Sequence, residues 1–83
     1  RLDLAEDTLV IYTSDHGDFA GDHNCFEKWD TSFLDGVIRV PLLMRCPGRI
    51  PAGLRSSALV ELIDLFPTIL EGAGIEVPSY AQG

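Results

Sequence analysis

The sequence has no basic excess, no disulfide framework and no long hydrophobic run, and each absence removes a class of function. Six Lys or Arg face thirteen Asp or Glu, a formal charge of −7 over 83 residues. A chain so charged has no general attraction to nucleic acid or to an anionic membrane surface. The only cysteines, Cys25 and Cys46, have twenty residues between them and no Cys-x-x-Cys spacing. Neither a zinc knuckle nor a disulfide scaffold is expected, and both are read as free thiols. No segment approaches the roughly 18–20 apolar residues of a membrane span. The first residues lack the short basic and apolar pattern of a signal peptide, and no internal repeat or low-complexity tract is visible.

What remains is ordinary globular composition, 46% hydrophobic and 23% charged, which argues against intrinsic disorder. The chain is nevertheless short of the usual domain size of roughly 100–150 residues. At this length only about 60% of the unfolded chain's surface becomes buried, so the expected core is thin. The expectation is one small domain or a piece of a larger one, opening at Arg1 without an initiator methionine.

Residues 2–7 resemble the end of a helix and its exit. Residues 8–13, Thr-Leu-Val-Ile-Tyr-Thr, form a continuous apolar, β-branched run. That pattern predicts a central strand covered on both faces in a parallel sheet. From 14 to 30 the pattern gives way to Asp, His, Gly and Asn, with Gly17 and Gly21 interrupting any regular element. This predicts a long loop at the strand's carboxyl end, where ligand sites gather in open α/β sheets. Thr31 is placed to cap a short helix reaching Asp35 or Gly36, and Pro41 opens a second apolar strand over 41–45. Residues 46–53 hold two prolines and two glycines and read as a surface turn. A short strand is expected over 57–62. Asp64 is then expected to cap a helix running to about Glu71, with Pro67 in its first turn and Gly72 or Gly74 at its end.

The chemistry concentrates in the loop. Asp15 and His16 follow the first strand directly, so a rigid backbone presents an ionised carboxylate and an imidazole nitrogen side by side, a pair suited to a divalent cation. Gly17 permits a tight departure beside them. Two ligands are too few for a complete site, and the rest must come from elsewhere. Without context the same triplet also serves as capping and hydrogen bonding at a sheet-to-loop turn. Lys28 offers a positive charge to an ester sulfate or phosphate, whose negative charge grows as it reacts; its bland alternative is a solvated lysine beside Glu27 and Asp30. His23 suits protonation of a leaving oxygen or contact with the anion, or simply structural hydrogen bonds. Asp18 and Asp22 read as loop-ordering or solvated carboxylates, Trp29 and Phe33 as aromatics that pack or else line the substrate cleft, and Arg39 as a local ion-pair partner.

Five features stand in order: Thr13-Ser14-Asp15-His16-Gly17-Asp18 after an apolar strand, Gly21-Asp22-His23 followed by Lys28, Arg39-Val40-Pro41-Leu42, Asp64-Leu65-Phe66-Pro67-Thr68, and Gly74-Ile75. The series resembles the carboxyl-terminal part of the catalytic domain of the sulfatase family, within the alkaline phosphatase superfamily. The resemblance covers roughly residues 7–78. It implies an α/β fold in which this chain is a fragment of an alkaline-phosphatase-like sheet with flanking helices, residues 1–83 forming part of one catalytic domain.

It further implies Asp15 and His16 as ligands of the active-site metal, Ca2+ first and Mn2+ or Zn2+ as alternatives, and Lys28 as the residue that contacts the substrate's sulfate. The implied substrate is a sulfate ester of a small molecule or glycan, the implied partner the remainder of the domain. Sulfatases of this kind use a formylglycine nucleophile made within a Cys-or-Ser-x-Pro-x-Arg signature, and that signature is absent here. Cys46-Pro47-Gly48-Arg49 is superficially similar, but its proline and arginine each come one place early. The nucleophile and the remaining acidic ligands are therefore expected outside this chain, and the isolated chain is expected to be inactive. Two rival readings stand: a phosphodiesterase or phosphonate monoester hydrolase of the same superfamily, and a small noncatalytic α/β module in which the loop residues only order the backbone.

Overall fold

The computed structural model describes residues 2–27 and 32–83. Lys28, Trp29 and Thr31, each of which carries an expectation from the sequence, lie outside the described residues. Two compact units are formed, Arg1–Ile50 and Pro51–Gly83.

In the first unit, strand β1 (Val10–Thr13) and strand β2 (Leu42–Arg45) pair with Val10 opposite Arg45 and Thr13 opposite Leu42. The pairing is antiparallel, which corrects the parallel sheet expected around β1. A continuous apolar run reports burial, and burial does not fix the direction of the neighbouring strand. Nor is β1 covered within this chain, since Val10 is 48% and Tyr12 64% exposed. Both strands are shorter than expected, with residues 8, 9 and 41 outside the ladder. The start of the unit is a short 3-10 turn, Ala5–Asp7. Arg45 ties it to β2, donating to the Ala5 carbonyl at 2.7 Å and meeting Glu6 Oε1 at 3.3 Å.

Helix α1 (Asp35–Ile38) is a single turn between the loop and β2. It begins at Asp35, where the helix expected from Thr31 was to end. Leu34 is extended at its amino end, and its carbonyl accepts from the N–H groups of Val37 and Ile38. The core of this unit consists of Phe19, 3% exposed, and Val37, 8% exposed. Such a core is as thin as the chain length implied.

In the second unit, residues 57–61 form no strand, and Leu62–Asp64 is a 3-10 turn, which corrects the strand expected over 57–62. A strand requires a ladder partner. Here the Ser56 hydroxyl takes the Ala58 N–H at 3.2 Å, a local turn, and Leu59 is fully exposed. Helix α2 (Leu65–Gly72) follows without a break. Asp64 lies in helical conformation and its carboxylate accepts the Glu61 N–H at 2.7 Å, so it braces the preceding turn rather than capping α2 directly.

Pro67 sits in the first turn of α2 as expected, where a missing N–H is tolerated. The helix ends at Gly72. Gly74 then takes φ +72° and donates to the Glu71 carbonyl at 3.0 Å, while Ile75 donates to Leu70 at 2.9 Å. This is the paired bonding of a Schellman stop, which needs a left-handed residue at the position Gly74 occupies. Among the described residues no helix is long and apolar enough to cross a membrane.

Candidate functional site

The turn that leaves β1 is held by short-range hydrogen bonds rather than by burial. The Ser14 hydroxyl donates to the His16 carbonyl at 2.7 Å and lies 3.4 Å from Asp15 Oδ1. The His16 backbone N–H donates to Asp15 Oδ1 at 3.0 Å. These bonds fix the Asp15 carboxylate although its side chain is 85% exposed. The same His16 N–H, and after it the neighbouring imidazole, hold the Asp15 carboxyl below its ordinary value, with the Ser14 hydroxyl adding to the effect. Asp15 is thereby kept in the acceptor form that a cation requires.

The imidazole of His16 is oriented from its other side. Its Nδ1 lies 2.7 Å from the Gly17 carbonyl. A carbonyl only accepts, so Nδ1 carries a proton in this arrangement, and in the neutral ring Nε2 is then the atom with the lone pair. Nε2 in turn stands 3.6 Å from Asp15 Oδ2. That separation is long for a hydrogen bond. It matches two donors each about 2.0–2.6 Å from a common ion, which would subtend roughly 90–130° there. A ring whose far N–H is bound to a backbone carbonyl is also the usual state of a metal-ligating histidine. The residues present therefore fit a divalent ion. They would form only part of its shell, since among the described residues no group of three or more His, Cys, Asp or Glu is placed to hold one.

Gly17 is required for packing. A Cβ there would run into the Gly36 carbonyl oxygen and lie 3.1 Å from its carbon. The Gly17 N–H donates to Val37 at 2.7 Å, which pins the turn to α1. A Cβ at Gly36 would meet the Phe19 ring at 3.4 Å, so Phe19, the buried aromatic among the described loop residues, rests against α1. The sequence reading missed both contacts. The signal was a single phenylalanine between Gly17 and Gly21 in an otherwise polar stretch.

The rest of the loop is tightly wound. Ala20, His23, Asn24 and Glu27 take positive φ values of 48°, 54°, 57° and 68°. For non-glycine residues this costs on the order of 1 kcal/mol each. Hydrogen bonds hold the path: Ala20 N–H to Asp18 Oδ1 at 2.7 Å, Asp22 N–H to Phe19 at 2.8 Å, and Gly21 N–H to Cys25 at 3.0 Å. Asp18 thus orders the loop, as expected. His23, in the 3-10 turn Asp22–Asn24, is exposed and stands edge-on to Phe19 with centroids 6.0 Å apart. The structure brings Asp15 and His16 together and sets His23 against the loop's core aromatic. Lys28 belongs to the residues outside its description.

Of the other residues weighed, Cys25 and Cys46 are free thiols. Arg39 pairs with Asp35 at 3.3 Å within α1 and its exit. Phe33 is 86% exposed among the described residues, which corrects the expectation that it packs.

Comparison with known proteins places the chain in a family. The family profile described as Sulfatase matches residues 1–75. Over all 83 residues the chain is 47% identical to arylsulfatase K of Homo sapiens and covers 15% of that protein. It is 46% identical to arylsulfatase K of Mus musculus, covering 14% of it. It is 44% identical to the N-acetylglucosamine-6-O-sulfatase of Bacteroides thetaiotaomicron, again over the whole chain and 14% of that protein. No solved structure gives a significant match. The chain thus spans about 15% of the length of the curated relatives it matches, and over that span it belongs to the sulfatase family.

Proposed function

We propose that this chain is the part of a metal-dependent sulfuric ester hydrolase that supplies Asp15 and His16 to the metal and Lys28 to the substrate's sulfate. The complete domain would have the alkaline-phosphatase-like architecture, with the nucleophile, a formylglycine, on the part outside this chain. The observation that carries the reading is the convergence of Asp15 Oδ2 and His16 Nε2, 3.6 Å apart, with Nδ1 already bound to the Gly17 carbonyl. Family membership supports it.

The ion would supply positive charge against the sulfate oxygens as they gain negative charge. Asp15 offers an ionised carboxylate held by the His16 N–H, and His16 a lone pair aimed beside it. Lys28 would contact the anion as a point charge. His23 would stand as the proton donor to the leaving oxygen, a role suited to imidazole. Ca2+ is the first candidate by resemblance. Mn2+ and Zn2+ follow because imidazole suits them better than it suits a hard, oxygen-seeking ion.

The names of the relatives direct the first assays to an aryl sulfate and to 6-O-sulfated N-acetylglucosamine. With the full-length protein, turnover of a sulfate ester that is lost on chelation and in Asp15→Asn is the expected result. Preference for a phosphodiester or phosphonate monoester would transfer the assignment within the superfamily. Absence of any turnover with unchanged metal content in Asp15→Asn would leave these residues an ordering role only.

A further inference from the structure

The geometry points to Gly17 as a positioning residue: clamped on α1, it holds the His16 imidazole in the orientation and tautomer that present Nε2 toward Asp15. The inference rests on the metal-site reading of Asp15 and His16 and adds to it the element that sets the ring. Two bonds form a relay through one residue. The Gly17 N–H is fixed by the Val37 carbonyl at 2.7 Å, and the Gly17 carbonyl lies 2.7 Å from His16 Nδ1. The two ends of one residue therefore connect a helix to a ring: the bond to Val37 fixes where Gly17 sits, and from that position its carbonyl reaches Nδ1.

Only glycine permits this approach, because a Cβ at Gly17 would overlap the Gly36 carbonyl oxygen and press on Val37 Cα at 3.3 Å. Backbone atoms at a distance under about 3.4 Å must move to admit it. Adding a methyl there lifts the turn from α1, breaks the bond to Val37 and carries the Gly17 carbonyl off His16. Val37, 8% exposed, and Phe19, 3% exposed, anchor the α1 side of the relay. A partner that orients a ligating histidine typically changes metal affinity 10- to 100-fold when lost, on the order of what removal of this carbonyl should do.

The test uses the full-length protein, stripped of metal and titrated calorimetrically with Ca2+ and with Mn2+. Gly17→Ala should weaken binding by about 10- to 100-fold. The control is Gly48→Ala, in the exposed turn after β2, where φ is +77° and a Cβ meets nothing. It strains the backbone and lowers the melting temperature but should leave affinity within about threefold of the parent. An equal loss in Gly48→Ala would assign the effect to general destabilisation and overturn the inference.

Asp15→Asn separates the two levels of the argument. Parent-like binding in Asp15→Asn removes the metal-site reading itself. Loss there with parent-like binding in Gly17→Ala removes only the positioning role. Should Gly17→Ala fail to fold, the metal-free parent still decides. Imidazole 15N resonances, with His16 assigned by its disappearance in His16→Gln, should show the Nδ1–H tautomer in mildly alkaline buffer, and the Nε2–H tautomer would overturn the inference.

Discussion

The two strands of this chain leave their sheet at opposite ends, because β1 and β2 are antiparallel, and the two exits are built differently. The exit of β1 is a polar turn in which the side chains of Ser14, Asp15 and His16 bond to one another and to the backbone, and Gly17 is clamped on α1. The exit of β2 is a backbone turn: Arg49 and Ile50 both donate to the Cys46 carbonyl, at 3.1 and 2.8 Å, and Gly48 takes a left-handed φ. Both contain glycine and an ionisable residue. Only the first brings a carboxylate oxygen and an imidazole nitrogen together, Asp15 Oδ2 and His16 Nε2 at 3.6 Å. The difference shows that two turns alike in glycine content are told apart by what their hydrogen bonds hold, side chains in the first and backbone in the second.

The largest effect that sharpens this contrast is on stability. Phe19→Ala removes the most buried side chain and should cost about 3–5 kcal/mol in denaturant unfolding of the full-length protein. A loss under about 1 kcal/mol would mean that the β1 loop is held by parts of the protein other than its own aromatic core residue.

Next is Lys28→Ala, which tests whether the β1 side of the sheet also carries the anion contact. It should leave metal content intact and lower kcat/KM on a sulfated aryl substrate by on the order of 10²-fold. A value within about threefold of the parent would remove Lys28 from the site.

Cys46→Ser probes the opposite exit. Its similarity to a nucleophile signature is contradicted by its place at the far end of the sheet from Asp15 and His16. Activity within about twofold of the parent is expected, less than about 0.5 kcal/mol in the barrier, and inactivation would reverse the assignment of ends. The smallest effect belongs to Arg39→Ala. Its ion pair with Asp35 is exposed on both sides, 79% and 74%, and should contribute about 0.3–0.5 kcal/mol at most to stability.

Much of this contrast is legible in the sequence, and what is not has physical causes. The two apolar runs announced strands, and Pro67 in a first turn with Gly72 or Gly74 at the end marked α2, because these signals are local: ring closure at proline and left-handed φ at glycine act within one residue. Asp15 and His16 were legible as a pair because adjacency after a strand already brings them close. The direction of β2 was not, since no residue of β1 records it. Residues 57–62 carried strand-like composition without a ladder partner in the chain, and composition alone cannot supply one. Phe19 drew no expectation from the sequence, because it rests against Gly36, seventeen residues further along the chain. Many exposed apolar side chains, Leu59, Leu54 and Phe66 among them, fit a chain that makes up about 15% of its relatives.

The most direct test of the β1 exit as a metal site is the metal content of the purified full-length protein beside its Asp15→Asn, His16→Ala and Cys46→Ser variants, measured by mass spectrometry after identical dialysis. The parent and Cys46→Ser should retain a divalent ion stoichiometrically, and both Asp15→Asn and His16→Ala should lose it. Parent-level metal in the Asp15 and His16 variants would contradict the assignment.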